Sequence, residues 1–101
     1  MRIIFATHPL DGANEFAAQL VNEDLARCVQ VQSAATSIYR WNGAIHEDQE
    51  AVHIIKAPTK KIAELRTRFL PLHPYEVPEF LPLEVDQNEA NRAYLNWIED
   101  A

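Results

Sequence analysis

An Asn-Gly pair between two long strand-like runs is the feature that most constrains how this chain can fold. Asn42-Gly43 separates residues 28–41 from residues 44–56. A type I′ turn needs positive φ at both central residues, and Asn and Gly accept this best. The pair therefore predicts a β-hairpin. Side chains of its return strand alternate between two faces, with Val52, Ile54 and Lys56 on one and Ala51, His53 and Ile55 on the other.

The predicted hairpin strands are too long for one small domain to cover. Each could extend about 10–14 residues, whereas strands usually span about 3–10. A strand of about 13 residues spans roughly 44 Å, and a domain of about 100 residues has a radius of gyration near ~13 Å. The tip, with Tyr39 and Trp41, would then overhang its own core. Because exposed aromatics on a protruding hairpin favour cover by another chain, we expect a homo-oligomer with strand pairing across subunits. The alternative is a hairpin that a bulge bends back onto its own sheet.

Apolar spacing and proline positions predict the remaining elements. They are a strand over 2–7, a helix over about 12–26, a helix that starts at Pro58-Thr59 and that Pro71 ends, an edge strand over 80–85, and a short helix over about 91–98. This is the split βαβ order of a ferredoxin-like α+β domain, βαββαβ, with an extra C-terminal helix. It predicts one domain over 1–101, with two helices on one face of a four-stranded antiparallel sheet.

Composition argues against nucleic acid, membrane and export. The chain has 9 Lys and Arg against 15 Asp and Glu, a net charge of −6, and no basic stripe of the kind that binds nucleic acid. No run approaches the ~20 apolar residues of a membrane span, and the N-terminal apolar run is shorter than a signal h-region. The lone Cys28 excludes an internal disulfide and fits a reducing compartment. We therefore expect a cytoplasmic protein.

Motifs of catalysis and of organic cofactor binding are missing from the sequence. Gly12 and Gly43 are the only glycines, so there is no Gly-rich phosphate loop. A nucleophile elbow, an H-E-x-x-H helix and a Cys-x-x-Cys pair are absent as well. We expect a binding protein without catalytic residues or an organic cofactor, rather than an enzyme.

Two groups of side chains are candidate metal ligands. His73 and Glu79 lie in a proline-rich extended run, and His46 and Asp48 share one face of the return strand. Imidazole with carboxylate suits Cu²⁺ or Zn²⁺. The alternatives are that His73 satisfies backbone groups at a proline-rich corner and that the other pair lies on a solvated strand face. Nothing in the pattern nominates His8 or His53.

Four motifs, in register along nearly the whole chain, resemble the CutA divalent-cation-tolerance family. SIYRWNGAIHED at 37–48 is similar to its hairpin, with a Tyr-x-Trp-x-Gly-x-Ile-x-Glu pattern, and HPYEVPE at 73–79 is similar to its most distinctive run. LARCV at 25–29 and YLNWI at 94–98 also fit. The resemblance implies a homotrimer linked to tolerance of divalent metals, copper above all, with the architecture of PII signalling trimers.

The chain departs from that family at four positions. Ala6 and Leu72 stand where some members carry a Cys and a second His, so a soft thiolate site is missing. Ala44 and Arg40 stand where Lys and an aromatic residue are common in the hairpin. The side chains on the hairpin surface therefore differ from those of many family members.

Aromatic residues and one lysine that recur in the resemblance could form a small-ligand cleft between subunits. They are Tyr39, Trp41, Lys56, Tyr75 and Trp97. The alternative is that they pack at subunit contacts. Three functions follow from the whole pattern: a trimeric metal-tolerance protein that binds divalent ions, a PII-like small-ligand sensor that signals through a protein partner, or a scaffolding trimer.

Overall fold

A computed structural model describes residues 1–100, in which four strands and three α-helices follow the predicted order. The elements are β1 (Arg2–Pro9), α1 (Ala13–Asn22), β2 (Cys28–Trp41), β3 (Ala44–Ala57), a 3₁₀ turn (Thr59–Lys61), α2 (Ile62–Leu72), β4 (Leu81–Glu84) and α3 (Arg92–Glu99). The strands form one sheet in the order β2-β3-β1-β4, and every neighbouring pair is antiparallel. This confirms the ferredoxin-like βαββαβ fold with an added C-terminal helix. No helix within residues 1–100 is both long and apolar enough to span a membrane.

Alternation along β1 and β3 divides the protein into two cores. Ile4, Ala6, Ile55 and Ala57 point from the sheet into the larger core, which α1 and α2 complete with Phe16, Leu20, Leu65 and Phe69. Helix α3 packs Leu95 and Ile98 against Met1 and Ile3. Because Ile3 and Ile4 point to opposite faces, α3 covers part of the face that α1 and α2 leave open, which we call the outer face.

The hairpin extends beyond the core, and it also contains the bulge that we considered as an alternative. Gln32 pairs with Val52 and Ala35 with Glu50, so Ser33 and Ala34 together oppose one residue of β3. Beyond the bulge, nearly every residue from 36 to 49 is exposed. The longest dimension of the chain is 44 Å. The bulge therefore does not fold the hairpin back onto its own sheet.

Two helix ends differ from the prediction. Helix α1 ends at Asn22 rather than near residue 26, because Asp24 adopts a left-handed φ of 60°, after which Leu25 N–H donates to the Leu20 carbonyl at 3.0 Å. Helix α2 continues through Pro71 to Leu72. It ends where His73 is extended, as expected for a residue before proline.

Candidate functional site

A groove of about 760 Å³ lies between one face of the hairpin and the segment that follows α2. Strands β1, β2 and β3 form one side, and residues 75–79 form the other. Its lining residues are Thr7, Pro9, Leu10, Tyr39, Trp41, Asp48, Gln49, Glu50, Tyr75, Glu76, Val77 and Glu79. We call it the acidic groove. Its volume lies within the range of small-molecule sites.

Carboxylates dominate the charge of the acidic groove. Asp48 and Glu50 reach it from one face of β3, and Glu76 and Glu79 reach it from the opposite wall. No Lys, Arg or His from residues 1–100 lines it. A cleft with one sign of charge concentrates ions of the opposite sign, so the groove favours cations.

Glu50 is the most enclosed carboxylate of the groove. Its side chain is buried, and its Oε2 accepts a 2.6 Å hydrogen bond from the Tyr75 hydroxyl. Burial, with this hydrogen bond, raises the pKa of Tyr75, so its hydroxyl stays a donor. Burial and the neighbouring Glu50 charge raise the pKa of Glu79. A bound cation would relieve the cost of keeping the Glu79 carboxylate ionised.

A second tyrosine holds Asp48 on the hairpin. Tyr39 donates its hydroxyl to Oδ2 of Asp48, and this hydrogen bond raises the pKa of Tyr39. His46, directly across the hairpin from Tyr39, stacks on the Tyr39 ring with centroids 5.6 Å apart. His46 and Asp48 therefore both contact Tyr39 on the strand face that they were predicted to share, but only Asp48 lines the acidic groove.

Of the predicted pair His73 and Glu79, only Glu79 lines the acidic groove. The Nε2 of His73 donates to the Thr7 carbonyl at 2.7 Å, and its Nδ1 accepts from the Tyr75 amide at 3.1 Å. Both ring nitrogens are therefore engaged by backbone, as in the alternative reading of this corner. Within residues 1–100, no three His, Cys, Asp or Glu side chains form a ready chelating group. The groove therefore concentrates negative charge, but its side chains are not prearranged to chelate a metal ion.

The five residues of the predicted cleft between subunits lie in two groups within one chain. Tyr39, Trp41 and Tyr75 line the acidic groove, whereas Lys56 and Trp97 lie at the other end of the sheet beside α3. The reason is geometric: Lys56 follows Glu50 by six residues on a straight strand, which separates them by about 20 Å. Within one chain, these five residues do not form a single cleft.

Comparison with known proteins decides the family. The profile of the CutA1 divalent ion tolerance protein family matches residues 2–101. The chain belongs to this family. It is 43% identical over 88 residues to the divalent-cation tolerance protein CutA of Thermus thermophilus, covering 87% of this chain and 84% of that protein. It is 40% identical over 86 residues to human protein CutA, covering 85% of this chain and 47% of the longer human protein.

The fold of this CutA1 chain agrees with solved relatives. The PII-like protein CutA from Nostoc sp. PCC 7120, in its apo form, superposes with a TM-score of 0.95 at 34% identity, covering 99% of this chain and 95% of that chain. CutA1 from Thermus thermophilus superposes with a TM-score of 0.90 at 40% identity, covering 98% of this chain and 95% of that one. These comparisons confirm the resemblance that the hairpin and HPYEVPE motifs carried.

Sequence reasoning missed a buried histidine cluster in this CutA1 chain. The ring of His8 lies 5.1 Å from that of His73 and 5.6 Å from that of His53, measured between centroids. All three are buried, and His53 Nδ1 has no hydrogen-bond partner within residues 1–100. Burial lowers the pKa of His53 and of His73. Alternation could have placed His8 and His53 on the core face, but only strand register brings them together.

Proposed function

We propose that this protein is a homotrimeric divalent-cation tolerance protein that binds divalent cations at the acidic groove. Its family membership supports the tolerance role. The observation that carries the binding role is that Asp48, Glu50 and Glu79 line one groove that no Lys, Arg or His from residues 1–100 enters. We retain from the sequence the proposals that the protein is cytoplasmic and is not an enzyme.

The donor set argues for oxygen coordination with modest affinity. Carboxylate oxygens suit hard and borderline ions, which often keep part of their water shell. With no ready three-ligand group in residues 1–100, a cation would be held by one or two carboxylates and by water. Affinities of sites built from carboxylates and water follow the Irving–Williams order, so Cu²⁺ and Zn²⁺ would bind more tightly than Mn²⁺.

Exposed apolar side chains on the outer face support the trimer. Phe5, Leu81 and Leu83 lie together there because β4 pairs with β1 in that register. At the hairpin tip, Ile38 is 69% exposed and Ile45 is 68% exposed. Contiguous exposed apolar surface of this kind marks an interaction site. We infer that neighbouring copies cover both areas.

Calorimetric titration of metal-stripped protein with Cu²⁺, Zn²⁺ and Mn²⁺ tests the binding role. We expect saturable binding that Asp48→Asn with Glu79→Gln weakens by about tenfold or more. The matched controls are Glu47→Gln and Glu64→Gln, because they remove the same two charges from exposed positions outside the groove. Equal loss of affinity in both double variants would mean that cation binding depends on the net charge of the protein and not on the acidic groove.

A further inference from the structure

A cluster of two cations and two aromatic rings lies between the ends of the sheet strands and α3. Arg27 precedes β2, Lys56 is near the end of β3, and Tyr94 and Trp97 occupy one side of α3 three residues apart. The two aromatic rings lie 5.7 Å apart between centroids. We call these four residues the cationic patch.

The aromatic rings hold both cations in place. The Arg27 guanidinium carbon lies 4.8 Å from the centroid of the Trp97 ring. The Lys56 ammonium lies 5.4 Å from the centroid of the Tyr94 ring and donates to its hydroxyl at 3.3 Å. Cation–π contacts of this kind orient a cation without neutralising its charge.

The charge of the patch is not compensated within residues 1–100. Neither Arg27 nor Lys56 forms an ion pair there, and Nε of Arg27 is buried without a hydrogen-bond partner. Glu99, the acid in the last turn of α3, is already engaged by the N-terminal amine of Met1 and by Thr59. A buried donor without a partner calls for a missing acceptor.

The surface of the patch is open in the single chain. Trp97 is 44% exposed and Tyr94 is 39% exposed. An aromatic or apolar group could therefore lie against these rings while an acidic group meets the two cations. This arrangement of a few polar groups beside apolar walls is typical of small-ligand sites.

We infer that the cationic patch is a binding site for a small molecule that carries an oxyanion, either carboxylate or phosphate, on an aromatic or apolar group. The oxyanion accepts from the Arg27 guanidinium and the Lys56 ammonium, and the apolar group contacts Trp97. Guanidinium groups recognise both kinds of oxyanion through paired N–H donors. The site does not rest on cation binding at the acidic groove, which is about 20 Å away along β3.

Trp97 fluorescence reports on this site directly. Trp41 and Trp97 are the two tryptophans of the chain, so Trp41→Phe leaves Trp97 as the sole indole emitter. In this variant we compare quenching by iodide, caesium and neutral acrylamide at equal ionic strength. A locally positive surface predicts iodide quenching about threefold stronger than caesium quenching, relative to free tryptophan. A protein of net charge −6 without such a patch would show the reverse order.

Ligand probes then identify the chemistry. We expect phenyl phosphate or benzoate at millimolar concentration to protect Trp97 from iodide, and the probe that protects distinguishes phosphate from carboxylate. Lys56→Gln and Arg27→Gln should abolish protection, whereas Lys60→Gln, the same charge change at an exposed position outside the patch, should preserve it. Three outcomes would each overturn the inference. They are iodide quenching no stronger than caesium quenching, protection by neither probe, and resistance of Trp97 to all three quenchers because a subunit covers it.

Discussion

The hydroxyl of Tyr75 donates a 2.6 Å hydrogen bond to Oε2 of Glu50 and so links the HPYEVPE run to the middle of the sheet. The acceptor is a buried carboxylate. His73, two residues before Tyr75, is anchored to the same sheet through the Thr7 carbonyl. These two hydrogen bonds fix the wall of the acidic groove that carries Glu79.

Tyr75→Phe should destabilise the protein, because it leaves the buried Glu50 carboxylate without its donor. We expect a loss of about 1–3 kcal/mol in the free energy of unfolding, measured by urea denaturation at a fixed protein concentration. The matched control is Tyr39→Phe, whose carboxylate partner Asp48 is exposed and can be hydrated. The control should change stability by less than about 0.5 kcal/mol. Equal effects would show that the burial of Glu50 is immaterial.

The buried histidine cluster should make the fold sensitive to mild acid. Burial lowers the pKa of His53 and of His73 in the folded protein, so the unfolded chain binds protons first as the pH falls. The contribution of these histidines to the free energy of unfolding is therefore fully present above the ordinary histidine pKa of about 6.5. It declines as the pH falls below that value, until the pH passes the lowered pKa of the folded state. Each histidine contributes a slope of up to about 1.4 kcal/mol per pH unit in that window.

Unfolding free energies between pH 7.5 and pH 4.5, together with imidazole NMR titration, test this acid sensitivity. The groups that face the cluster are its own three histidines, with Glu50 acting on His73. The control is His46→Gln, because His46 is exposed and lies outside the buried cluster. This substitution should leave the slope unchanged. Stability that stays level or rises as the pH falls from 7 to 5 would contradict the prediction.

Asp24→Gly should stabilise the protein slightly. Asp24 has a φ of 60°, a left-handed conformation that side chains rarely adopt and glycine adopts freely. We expect a gain of about 0.5 kcal/mol, because relief of strain exceeds the added flexibility of the unfolded chain. Asn22→Gly, at the last residue of α1, should instead cost about 0.5–1 kcal/mol. Thermal unfolding of both variants tests the sign, and a loss for Asp24→Gly would contradict it.

The proposed trimer depends on the apolar part of the outer face. Leu81→Glu would place a charge beside Phe5, its partner across the sheet, and should shift the protein toward smaller species in sedimentation. Val21→Glu adds the same charge at an exposed position on α1 and should leave the mass at three chains. A parent protein that sediments as a monomer at micromolar concentration would contradict the trimer.

Local patterns predicted most of the fold. Asn42 and Gly43 carry the positive φ values that the hairpin turn required, and alternation placed Ala51, His53 and Ile55 toward the core. The end of α1 was missed because Asp24, rather than a glycine, takes the left-handed position. A left-handed conformation at a residue other than glycine depends on tertiary packing, which the local sequence does not reveal.

The site was predictable only in part. His46 and Asp48 share a strand face by simple alternation, as expected, and Glu50 lies on the same face. The meeting of Glu79 with Glu50, and of His8 with His53 and His73, depends on strand register and on the path of residues 73–79. These are relationships between distant parts of the chain. The alternative that His73 satisfies backbone groups agrees with the structure, but its partner, the Thr7 carbonyl, lies in a distant part of the sequence and could not be named in advance.

Paramagnetic broadening by Mn²⁺ tests the central claim most directly. Substoichiometric Mn²⁺ is added to ¹⁵N-labelled protein, and the loss of each backbone amide signal is mapped along the chain. Our account predicts that signals of Asp48, Glu50 and Glu79 broaden first, and that Lys56 and Trp97 keep theirs. Asp48→Asn with Glu79→Gln should abolish this pattern. Broadening centred elsewhere, or spread evenly over the acidic surface, would contradict cation binding at the acidic groove.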